Sequence, residues 1–100
     1  MLEESHVTHH AEKRVRERVG VNKKTVQKVS NRALKEGLAH CELTGKLKKF
    51  ISELYLRNST ANNIKIYGEK VYIFRRNILI TVVPLPHHLK KLANKLAKKE

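Results

Sequence analysis

The amino-acid sequence predicts an α+β fold: N-terminal helices packed on one face of a three- to four-stranded antiparallel meander, with a short C-terminal helix. Three observations predict it. Residues 63–83 alternate branched apolar side chains with polar or aromatic ones, broken by two-residue turns at Gly68-Glu69 and Arg76-Asn77. Residues 7–57 instead repeat apolar side chains at helical spacing, and residues 89–97 do so again after Pro84 and Pro86. One hundred residues suffice for a single domain, 1–100, with one modest core.

Residues 1–5 read as a flexible N-terminus and 6–57 as the helical part. A first helix over 7–19 carries Val7, Ala11, Val15 and Arg18 on one narrow stripe and stops at Gly20. The second, over 23–36, has Val26, Val29, Ala33 and Leu34 on one side, with Gly37 expected as a left-handed cap. Residues 38–44 read as a turn of helix followed by a loop, and Thr44-Gly45 punctuates them. Over 46–57, Leu47, Phe50, Ile51, Leu54 and Tyr55 make the clearest amphipathic helix, expected to lie against the sheet. Residues 58–61 form a polar break. The strands then occupy 62–84 and end at prolines that cannot donate a ladder hydrogen bond. Residues 87–100 form a basic amphipathic tail with Leu89, Leu92, Ala93, Leu96 and Ala97 on one side, marginal as an isolated helix and expected to be solvated.

Strict alternation sorts the sheet into two faces. One holds Ile64, Ile66, Val71, Ile73, Ile78, Ile80 and Val82, and the helices are expected to cover it. The other holds Asn63, Lys65, Tyr67, Lys70, Tyr72, Phe74, Leu79, Thr81 and Val83, with Lys65, Tyr72 and Thr81 side by side, and is expected to be open. Cations beside rings suit a single-stranded nucleic acid, and Arg75 adds a charge at the end of the middle strand.

Charge points the same way. Twenty-two Lys and Arg against nine Asp and Glu give a net charge of +13, spread along the chain, and RNA or DNA is the polyanion most suited to meet it. The lone Cys41 excludes an intramolecular disulfide and reads as a small half-buried thiol. With no signal segment and no apolar run long enough for a membrane span, the expected setting is cytoplasmic. The histidine doublets His9-His10 and His87-His88 and the solitary cysteine make a poor zinc ligand set, so neither metal nor cofactor is expected.

The chemistry is concentrated in residues 10–18. Spacings of four place His10, Arg14 and Arg18 along one side of the first helix. A histidine moves a proton near neutral pH, while guanidinium groups clamp phosphate and stabilise the charge of its transition state. A metal-free ribonuclease needs those parts, because the RNA 2′-hydroxyl supplies the nucleophile. His6, His9 and His40 compete with His10 for the proton-transfer role, and His87 and His88 read as surface residues.

The string His-Ala-x-x-Arg-x-x-x-Arg from His10, the Ala-Leu-x-x-Gly of residues 33–37 and the Leu-Ile-Thr-Val of residues 79–82 resemble the small ribonucleases of the barnase, colicin-nuclease and RelE toxin superfamily. The resemblance covers residues 10–83 and is closest to compact members from bacterial genomes and mobile elements. It implies helices on a curved antiparallel sheet and metal-independent cleavage on the open face. His10 would transfer the proton, Arg14 and Arg18 would hold phosphate, Lys65 and Tyr72 would line the cleft, and Thr81 would orient a phosphate or water. No carboxylate stands on the expected open face as a second acid or base. The resulting expectation is an RNA-directed endoribonuclease of toxin type, with an acidic antitoxin or other protein as a partner. The alternatives are a non-catalytic nucleic-acid-binding protein of phage or mobile-element origin, or a module binding an acidic protein.

Overall fold

A computed structural model describes residues 5–57 and 61–97 and is α+β. Four α-helices and five strands follow the order β1 (His6–Val7), α1 (His9–Arg18), α2 (Lys23–Glu36), β2 (Leu38–Ala39), α3 (Gly45–Arg57), β3 (Asn63–Tyr67), β4 (Lys70–Arg75), β5 (Ile78–Pro84) and α4 (His87–Ala97), with a 3₁₀ turn at His40–Glu42. The sheet order is β1-β5-β4-β3-β2. The meander β3-β4-β5 and its two turns follow the sequence pattern, and Gly68, Glu69 and Arg76 adopt the positive φ that such tight turns require. Two further strands correct the expected three or four. β2 pairs antiparallel with β3, whereas β1 pairs parallel with β5, so the sheet is mixed.

Helices cover both faces of this sheet. Leu43, Leu47 and Ile51 around α3, with Leu89 and Ala93 of α4, bury Ile64, Ile66, Val71 and Ile73. On the other side Ala11 and Val15 of α1, with Val26, Ala33 and Leu34 of α2, bury Tyr72, Phe74, Leu79 and Val82. The expected open face is therefore the floor of a second apolar core, and Tyr72 and Phe74 retain 1 % and 0 % exposure. The physical reason is that α1 and α2 carry apolar stripes that one sheet face, already occupied by α3 and α4, cannot also accommodate.

The N-terminal segment is anchored from Ser5 onward. Ser5 is buried, its N–H donates to Asn31 Oδ1 at 2.8 Å, its hydroxyl meets Ser30 Oγ at 2.6 Å, and its carbonyl accepts from Gln27 Nε2 at 2.6 Å. His6, placed by sequence one helical turn before His10, lies in β1 instead, and its N–H donates to the Asn77 carbonyl at 2.7 Å. At the other end of α2, Gly37 is extended (φ −65°, ψ 155°) instead of left-handed. Its role is clearance: a Cβ there would stand 2.5 Å from the Ala33 carbonyl oxygen and 2.8 Å from Lys65 Cβ. The C-terminal residues expected as a solvated tail form α4 and dock through Leu89 and Ala93; residues 98–100 and the polar break at 58–60 lie outside the described residues. Among the described residues no helix is long and apolar enough to cross a membrane.

Candidate nucleic-acid interface

α1 begins where Thr8 Oγ1 accepts the Ala11 N–H at 3.1 Å, satisfying one of the free donors of the first turn. The same hydroxyl donates to the Leu79 carbonyl of β5 at 3.2 Å, fixing the start of the helix over the sheet. Ala11 and Val15 then point inward and are fully buried, which turns His10, Lys13, Arg14 and Glu17 toward solvent. Gly20, at φ +82°, closes the helix.

Two of the three expected site residues of α1 touch. Arg14 Nε donates to His10 Nε2 at 3.4 Å, with the imidazole nitrogen as acceptor. Arg14 Nη1 also donates to Glu17 Oε1 at 3.4 Å. An imidazole, a guanidinium and a carboxylate thus form a chain along one exposed flank. Glu17 was missed by the sequence reading, although it follows Arg14 by three positions and His10 by seven, both spacings that keep residues on one side of a helix. Arg18 is used differently. Its Nη1 donates to the Val82 carbonyl at 2.7 Å and ties the end of α1 to β5.

The sheet residues do not join this group. Lys65 pairs with Tyr72 as expected, but Tyr72 pairs with Val82 and not with Thr81. Phe74 faces Leu79 while Ile73 faces Thr81, which leaves Ile80 as the extra residue of a bulge and moves Thr81 to the side covered by α3 and α4. Among the described residues no hydrogen bond, ion pair or ring contact links His10 or Arg14 to Lys65, Tyr72 or Thr81. Lys65 is half-buried beside Gly37, Lys70 is half-buried opposite Tyr67, and Arg75 is exposed at the end of β4.

Tyr67 and Tyr72 meet edge to face, with centroids 6.3 Å apart and planes at 61°. Burial, and secondarily the neighbouring Tyr67, push the Tyr72 hydroxyl up to about 12. It keeps its proton through the neutral range and is a donor, not a base.

The remaining histidines are accounted for by position. His40 Nε2 lies 2.9 Å from Ser52 Oγ, whose own proton goes to the Lys48 carbonyl at 2.9 Å, and its ring meets Tyr55 edge-on at 5.4 Å. Tyr55 in turn accepts the Ile64 N–H at 2.9 Å, so His40 belongs to a brace between α3 and β3. His87 and His88 are exposed at the start of α4. Cys41, read as half-buried, is exposed on the 3₁₀ turn. No protein-family description, curated protein or solved structure matches this chain.

Proposed function

We propose that this chain is an RNA-directed protein that cleaves without a metal, through attack of the RNA 2′-hydroxyl, on the outward flank of α1. The contact of Arg14 Nε with His10 Nε2 carries the reading. Phosphate is a stronger partner for the guanidinium than a neutral imidazole is, so an arriving phosphodiester draws Arg14 to itself and frees the His10 lone pair. His10 then accepts the 2′-hydroxyl proton as the 2′-oxygen bonds to phosphorus, the P–O5′ bond breaks, and the departing 5′-oxygen takes a proton from solvent water while His10 returns its proton to solvent; Arg14 stabilises the charge gathering on the phosphoryl oxygens, and Glu17 orients Arg14. The net charge of +13 supplies the attraction that brings RNA to this surface. Incubating the protein with single-stranded RNA in EDTA tests it: the expected products carry 2′,3′-cyclic phosphate ends, and His10→Ala abolishes them without loss of helical structure. Uncut RNA in that assay contradicts cleavage.

A second reading, RNA binding without cleavage, is favoured by one observation. The sheet face that the resemblance would make the cleft is covered by α1 and α2, so Tyr72 and Phe74, expected to line an open surface there, are closed to substrate. Salt-dependent binding with no cleavage selects it.

A further inference from the structure

On the opposite flank of α1 a cleft of about 340 Å³ opens between the first turns of α1 and α2, lined by Val7, Thr8, His9, Glu12, Lys23, Val26 and Gln27. Two of its polar walls are fixed. Thr8 is held by Leu79 and Ala11, and Gln27 by Ser5 and Asn31. Among the described residues the other three polar groups, the His9 imidazole, the Glu12 carboxylate and the Lys23 ammonium, make no hydrogen bond or ion pair. Glu12 is the informative one. It is half-buried in a chain with 22 Lys and Arg, and Lys23 lines the same cleft, yet no cation among the described residues pairs with it. Its place in the first turn of a helix is electrostatically favourable, which explains a carboxylate at that position but not one left without a partner beside a lysine.

A carboxylate in a phosphate-binding surface repels the backbone unless the ligand brings a hydrogen-bond donor to it. In the sugar-phosphate backbone of a nucleic acid the only such donor within the chain is the ribose 2′-hydroxyl, which DNA lacks. We infer that this cleft is a ribonucleotide subsite in which Lys23 and His9 face a phosphate and Glu12 accepts the 2′-hydroxyl, making Glu12 the residue that selects RNA over DNA. The inference rests on the RNA-directed reading above and adds the means of discrimination. Adjacent His9 and His10 place the cleft and the His10–Arg14 flank on the same first turn of α1, so one strand crossing that turn meets both.

The test compares a ribouridine decamer with its deoxyribose counterpart by fluorescence anisotropy, in a His10→Ala background that keeps the ribose strand intact. A lost hydrogen bond to a charged group corresponds to about tenfold in affinity, so the ribose strand binds at least that much tighter. Glu12→Met, which keeps the side-chain length but has neither the carboxylate acceptor nor its charge, brings the ratio close to one by weakening ribose binding and, with the repulsion removed, strengthening deoxyribose binding. Lys23→Ala weakens both strands and leaves the ratio unchanged. A ratio unaffected by Glu12→Met, with RNA still bound, overturns the subsite and leaves the RNA-directed reading standing. Binding of neither strand overturns both.

Discussion

The guanidinium of Arg18 donates to the carbonyl of Val82 at 2.7 Å, across 64 positions of sequence, and so joins the last turn of the first helix to the last strand. That contact separates two arginines which sequence spacing treats as equivalent. Arg14 faces solvent with His10 and Glu17, whereas Arg18 is a clamp.

Arg18→Ala therefore lowers stability, by about 1–2 kcal/mol for a charged donor lost from a part-buried carbonyl. Arg14→Ala changes it by no more than about 0.5 kcal/mol, as exposed pairs do. Urea denaturation midpoints of the two variants, with unchanged slopes, check the contrast.

Tyr72 gives a pH signature. Its hydroxyl is raised from 10.0 to about 12 in the folded chain, chiefly by burial. A group whose folded value lies above its unfolded value contributes stability that is fully present below the unfolded value and lost as pH rises through the folded one. Stability thus falls between about pH 10 and pH 12 through this tyrosine. Tyr72→Phe, which cannot ionise, flattens that part of the profile when denaturation midpoints are compared across the interval.

Gly37→Ala probes the close approach of α2 to β3. Because φ is −65°, alanine meets no backbone strain there, and the penalty is steric: a methyl 2.5 Å from a carbonyl oxygen and 2.8 Å from Lys65 Cβ. The expected loss is about 1–3 kcal/mol, the range for overpacking, read by thermal or urea denaturation.

The meander was legible because its turns and alternation are strong local signals, and Lys65 opposite Tyr72 follows from them directly. Thr81 was misplaced because residues 78–83 read Ile-Leu-Ile-Thr-Val-Val, in which a one-residue bulge creates no polar mismatch to betray it. β1 and β2 have two residues each, too few for any periodicity. The closed face did leave a trace. The stripes Ala11-Val15, Val26-Ala33-Leu34, Leu47-Ile51 and Leu89-Ala93 each need an apolar surface, and Tyr72 and Phe74 are large enough to provide one on the side taken as open. Of the expected site, the His10–Arg14 contact was readable from spacing. The Arg18 clamp was not, since it depends on a strand 64 positions away.

Salt-dependent anisotropy of single-stranded RNA bound to Arg14→Ala and to Tyr72→Phe tests the location of the RNA surface most directly. With the flank of α1 as that surface, Arg14→Ala weakens binding and reduces the slope of log affinity against log salt by about one phosphate contact, while Tyr72→Phe leaves both unchanged. Unaltered binding by Arg14→Ala together with weakened binding by Tyr72→Phe would contradict it and return the site to the sheet.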